Sequence, residues 1–188
     1  MSFEEFKKSG SNDSLSERNE NKVEKIPNEK ENGLLKEEME NAIKTGDVDL
    51  ALGAFLQLNE KLPKNRGEES FDYAGSYAKE IMDLSINTAK TDSADFNKIK
   101  SMIEIFLSLR EYFPESRGER SFDYAGSYAK DIMTIVINVI KKEKEDDSSM
   151  IKLAKEALKE LSPYLPTENR GREFDYATSY AKDLDCLS

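Results

Sequence analysis

The chain has no histidine, no tryptophan and a single cysteine, Cys186, among 188 residues. Without histidine, the commonest general base and the commonest transition-metal ligand are missing. One cysteine excludes an intramolecular disulfide. Together the two shortages exclude Ser-His and Cys-His dyads and every Cys/His zinc site. No cofactor is expected, and an enzyme built on this chain would rest on carboxylates, lysine or tyrosine. Cys186 lies third from the end, one place short of a prenylation box; it reads as a small, partly buried apolar residue. Long apolar runs are also lacking, so no membrane span is expected. Met1–Lys8 holds no apolar stretch of the kind a cleavable secretory signal needs. These features point to a cytoplasmic protein kept in a reducing compartment, the alternative being export without a cleavable signal.

Charge of both signs is abundant. Twenty-eight Lys and Arg face 38 Asp and Glu, a net charge of −10. Phosphate backbones select basic surfaces, so nucleic acid is not an expected partner. The lysines and arginines are spread among the acids, which also speaks against mimicry of DNA. An acidic surface suits a basic protein partner.

Residues 1–33 are rich in Ser, Asn, Glu and Lys, with scattered apolar residues, and read as a disordered polar tail. From Leu34 the apolar residues fall at steps of three and four (Leu35, Met39, Ala42 and Ile43), the face of a helix. Gly46 suits a left-handed helix end and Asp47 an N-cap. A second helix is expected from about Val48 to Leu62.

Internal repetition is the strongest signal. Residues 62–82 recur 51 positions later as 113–133, with 16 of the 21 positions identical. A third copy runs from Leu165 through Arg170-Gly171 to Leu184, a further 52 residues on. Each copy carries Phe-Asp-Tyr-Ala-x-Ser-Tyr-Ala-Lys. The step from proline to phenylalanine is eight residues in all three, Pro63 to Phe71, Pro114 to Phe122 and Pro166 to Phe174. Arg-Gly sits one place later in the third copy. Upstream, Phe55, Leu58 and Leu62 align with Phe106, Leu109 and Phe113, and with Leu158, Leu161 and Leu165.

The reading is an all-α chain: three αα-hairpin repeats of period 51–52, solenoid- or bundle-like, after a disordered N-terminal tail. The units fall at about 34–90, 91–145 and 146–188 in one helical-repeat domain. This period does not match the 34-residue tetratricopeptide unit. Each unit would hold a first helix ended by proline, a Pro…Arg-Gly loop, and a second helix capped by Ser70, Ser121 or Glu173. The run Ile132–Ile140 is expected to be the central buried helix, and 141–147 a solvated connector.

The repeated positions are the candidate functional residues. Tyr73 and Tyr77 are i,i+4 neighbours, as are Tyr124 and Tyr128, and Tyr176 and Tyr180. They are expected to fill the seam to the next unit, or to form a tyrosine ladder for a protein partner. Asp72, Asp123 and Asp175 are placed to accept backbone N–H bonds and to clamp Arg66, Arg117 or Arg170. Lys79, Lys130 and Lys182 would form surface ion pairs. Gly75 and Gly126 suggest close packing, since glycine in a helix costs roughly 0.5–1 kcal/mol relative to alanine. No catalytic or metal site is assigned. The function expected is a non-catalytic protein-interaction module, an adaptor or an inhibitor or immunity-type binder. The alternative is a secreted bacterial effector that uses its polar N-terminus for export, and last comes a carboxylate-based enzyme.

Overall fold

The computed structural model describes residues 29–63, 65–66, 69–91, 95–114, 116–117, 120–142, 148–169 and 171–187. The tail before Glu29, the connector 143–147 and Arg170 lie outside the described residues. The chain is all-α. Among the described residues there are seven helices: α1 Glu29–Thr45, α2 Val48–Leu58, α3 Tyr73–Thr91, α4 Phe96–Leu109, α5 Tyr124–Lys142, α6 Ser148–Leu161 and α7 Tyr176–Asp185. α1 starts at Glu29, five residues ahead of the apolar pattern, and so takes in Gly33.

Local chemistry sets most helix ends. Gly46 adopts φ +84° after α1, a backbone that a Cβ would strain. The Asp47 carboxylate then accepts the Leu50 N–H and starts α2. Asp95 does the same for α4 through Lys98 N–H. The first helices stop short of their prolines: α2, α4 and α6 each tighten into one 3₁₀ turn, Asn59–Lys61, Arg110–Tyr112 and Ser162–Tyr164. Such turns are common where an α-helix ends.

The expected Pro…Arg-Gly loops are small antiparallel ribbons. Asn65 pairs with Ser70 and Arg66 with Glu69 (β1 Asn65–Arg66, β2 Glu69–Ser70). Ser116–Arg117 (β3) and Arg120–Ser121 (β4) repeat the register, as do Glu168–Asn169 (β5) and Arg172–Glu173 (β6). The one-place shift of Arg-Gly in the third copy therefore moves glycine within the two-residue turn and leaves the pairing alone. Gly171 takes φ +75° there. Since Ser70, Ser121 and Glu173 are ribbon residues, they do not cap the second helices as expected.

The helices form two layers. The second helices stack α1 on α3, α3 on α5 and α5 on α7. The first helices α2, α4 and α6 form the other layer, where α4 packs on α6. α1 packs on α2 as α3 does on α4 and α5 on α6. By position α1 is thus a second helix, with no first helix of its own among the described residues. Its sequence agrees: Lys36, Glu37, Met39, Ile43 and Thr45 stand 43 places before Lys79, Glu80, Met82, Ile86 and Thr88.

The core runs between the layers. Met39, Met82 and Met133, equivalent in successive second helices, are fully buried, as are Ile81, Ile132, Phe55 and Phe106. Each such side chain contributes about 1.5–3 kcal/mol through its removal from water. α5 is the central helix, with Ile132, Met133, Ile135, Val136, Ile137 and Ile140 all buried. No helix among the described residues is long and apolar enough to cross a membrane.

Candidate functional site: the repeated motif

The motif's aspartate, directly after its phenylalanine, is the N-cap of each second helix, in place of the expected Ser70, Ser121 or Glu173. Asp72 Oδ1 accepts the Gly75 N–H at 2.8 Å, and Asp123 Oδ1 accepts Gly126 N–H at 2.8 Å. Asp175 accepts Thr178 N–H at 2.9 Å and the Thr178 hydroxyl at 2.5 Å. These bonds hold the Asp175 carboxyl below its usual range. An N-cap carboxylate satisfies a backbone donor that the helix itself leaves unpaired.

The cap explains the glycine. A Cβ on Gly75 would overlap the Asp72 carboxylate (Cγ at 2.8 Å) and stand 3.1 Å from the Tyr112 carbonyl of the next unit. Gly126 meets Asp123 and the Tyr164 carbonyl, at 3.0 Å, in the same way. The close approach expected at the glycine is therefore real, but its partner is the end of the next unit's 3₁₀ turn. In the third copy Thr178 takes this place, and no further unit follows within the described residues.

The second tyrosine of each pair reaches back, not forward. Tyr77 donates to Glu40 Oε1 on α1 at 2.5 Å. Tyr128 donates to Asp83 Oδ1 on α3 at 2.7 Å. Tyr180 meets Thr134 Oγ1 on α5 and donates to the Lys130 carbonyl, both at 3.2 Å. Glu40, Asp83 and Thr134 are equivalent places on three successive second helices. All three tyrosines are buried. Burial raises each hydroxyl's pKa; the hydrogen bonds from Tyr77 and Tyr128 to their carboxylates raise theirs further, while the Thr134 bond acts in the opposite sense on Tyr180. In α1 the tyrosine's place is held by Leu34, which faces no preceding helix among the described residues and is 60% exposed.

The first tyrosine packs on the second, with ring centroids 6.0–6.4 Å apart in the three pairs. The motif phenylalanine meets it edge-on at 4.5–4.6 Å. The ammonium of Lys36 lies 5.7 Å from the Tyr73 ring, and Lys130 lies 5.7 Å from the Tyr176 ring. Such a placement favours the cation over the ring face. Of the motif lysines Lys130 thus acts across the seam, whereas Lys79 pairs with Asp83 on its own helix at 2.6 Å, a surface ion pair as expected, beside the Tyr128 hydroxyl. Lys182, on the last helix, is exposed. Asp131, one place after Lys130, pairs across the seam with Lys90 of α3 at 4.0 Å. Arg66 and Arg117 stand in β1 and β3, and the expected clamp with aspartate rests on side chains outside those described, as does Arg170.

The two tyrosines outside the motif complete the joint. Tyr112 sits edge-on to Phe55 at 5.2 Å, and Tyr164 edge-on to Phe106 at 5.4 Å. All eight tyrosines of the chain therefore lie at unit boundaries. The ends of the array are unlike its middle. Lys61 holds the place of Tyr112 in the first unit, which no first helix precedes among the described residues. Leu158 and Thr178 replace the receiving phenylalanine and glycine in the third unit. Cys186, expected to be partly buried, is exposed at the place of Asp83 and Thr134, where no described element packs as the next second helix does on those two.

Among the described residues no three Cys, Asp or Glu side chains gather in a way that could hold a metal ion. Each second tyrosine is hydrogen-bonded in a seam, and each motif aspartate caps a helix. The motif's chemistry is structural joining. No known protein family, curated protein or solved structure matches the chain.

Proposed function

We propose that the chain is a non-catalytic protein-binding module, an adaptor or an inhibitor or immunity-type binder that occupies a basic partner protein. One observation carries this reading: the units share their seams but not their outward surfaces. At two successive places on the outer arc of the first helices, α2 has Gly53 and Leu56. α4 has Glu104 and half-buried Leu107 there, and α6 has Glu156 and Lys159. A common joint with unlike outer faces is what an extended recognition surface requires. The net charge of −10 favours a basic partner and speeds encounter with it. The absence of histidine removes most routes to acid–base catalysis.

The test is isolation of a stoichiometric partner from the native source, then titration calorimetry with the purified pair at two salt concentrations. A defined stoichiometry, with affinity that weakens as salt rises, supports the reading. A complex formed only through residues 1–28 argues instead for the exported-effector alternative, which rests on the polar composition of the tail.

A further inference from the structure

Five large apolar side chains are exposed by more than a third among the described residues, and three of them lie on the first two helices: Leu34, Leu50 and Leu56. Leu50 and Leu56 flank Gly53 on the outward arc of α2, each about 60° of helix rotation from it. Gly53 sits in mid-helix, where glycine costs roughly 1 kcal/mol relative to alanine. Nothing lies within 4 Å of a Cβ built there. Packing within the chain therefore does not account for this glycine, as it does for Gly75 and Gly126.

The position in the array explains why Leu50 is bare. Its equivalent in α6, Leu153, is 8% exposed, and α6 has a first helix, α4, packed on its preceding side. Among the described residues α2 has no such helix before it. At the place of Leu56 the later units carry half-buried Leu107 and exposed Lys159. The apolar notch is thus particular to the first unit. Exposed carboxylates border it: Asp47 and Asp49 at one end of α2 and Glu60 at the other, with exposed Lys44 and Lys61 near the same ends in the chain.

We infer that this notch docks an amphipathic helix of a partner protein, with an apolar stripe over Gly53 and lysine or arginine along its borders. This deepens the binding-module reading and rests on it. A helix is the occupant because it would extend the first-helix layer beyond α2, and Gly53 lets a second backbone approach closely. Basic flanks complement the carboxylates. A second copy of the chain is the wrong occupant. Stacked head to tail, it would offer Leu158, Thr178 and Cys186 where Phe55, Gly75 and Asp83 receive the next unit, and would meet Lys61 and Leu34 in place of tyrosines. Face to face, it would set like carboxylates against each other.

The experiment uses the full chain, isotopically labelled, and a synthetic 14-residue leucine–lysine amphipathic helix as probe, followed by amide chemical shifts. The inference expects saturable shifts centred on residues 47–60 and at least a tenfold weaker dissociation constant for the Leu50→Gln/Leu56→Gln variant. That variant should keep its melting temperature, since both side chains are exposed. A leucine–glutamate helix of the same pattern should bind at least tenfold more weakly. Equal binding by the variant, or shifts centred elsewhere, overturns the inference. So does a change in the amides of residues 1–28, or in sedimentation, caused by the variant without peptide, because the occupant would then be the tail or a second copy. If a native partner binds the variant as well as the wild type, this site fails while the binding-module reading stands.

Discussion

Alanine at three helical glycines should give opposite signs in one protein. At Gly53 a new Cβ meets nothing within 4 Å, so only helix propensity acts, and Gly53→Ala should stabilise by about 0.5–1 kcal/mol. At Gly75 and Gly126 the same gain is opposed. The new Cβ overlaps the capping carboxylate and lies 3.1 or 3.0 Å from a backbone carbonyl of the next unit. Displacing the cap costs about 1 kcal/mol. Overpacking against a carbonyl that the next unit holds in place adds about 1–3 kcal/mol. The cap is the softer part, since Asp175 still caps beside the Cβ of Thr178. The net expectation is destabilisation by about 1–3 kcal/mol at each, after the propensity gain is subtracted. Urea unfolding followed by circular dichroism resolves this, provided the slope with denaturant is unchanged. If Gly75→Ala and Gly126→Ala stabilise the protein as Gly53→Ala does, the close joint between cap, glycine and the following 3₁₀ turn is wrong.

Three further outcomes follow from the same geometry. Phe106 is fully buried against Phe113 and Tyr164, so Phe106→Ala should cost about 3–5 kcal/mol in thermal or urea unfolding. Its half-buried equivalent Leu158 receives no following unit among the described residues, and Leu158→Ala should cost less than about 2 kcal/mol, the lower end for fully buried leucines. Tyr77 and Tyr128 have pKa values raised above the unfolded value of about 10. The folded state keeps protons that the unfolded state loses, so their contribution is complete below pH 10 and declines as pH rises above it. Stability measured from pH 8 to 11 should fall more shallowly in Tyr77→Phe/Tyr128→Phe than in the wild type; an identical slope would contradict the buried seam.

The sequence made the helical class, the three copies and the buried run of α5 plain, because a repeated 21-residue match and dense β-branched residues are local signals. The N-cap was misplaced because serine and aspartate are both good caps, and a single phenylalanine separates them. The decisive mark was available: aspartate three places before glycine (Asp72 and Gly75, Asp123 and Gly126) is the spacing of a cap to the third helical N–H. The ribbons were unreadable because two-residue strands bury almost nothing and carry no alternation. The kinship of α1 with the second helices was hidden, since most of the motif is absent from it and only its Lys-Glu…Met…Ile…Thr skeleton remains. The direction of the tyrosines was a tertiary fact. Spacing puts Tyr124 and Tyr128 on one face, but only packing shows that the face belongs to the preceding unit. The exposed notch on α2 was likewise legible as residues and illegible as a surface.

The central claim is that the repeated motif joins consecutive second helices, and a double-mutant cycle between Tyr128→Phe and Asp83→Ala tests it most directly. The account predicts a coupling free energy of about 0.5–1.5 kcal/mol, the range of a partly buried hydrogen bond. Additive single effects, with coupling below about 0.3 kcal/mol, would mean that Tyr128 does not dock on the preceding unit, and the seam would not be the motif's role.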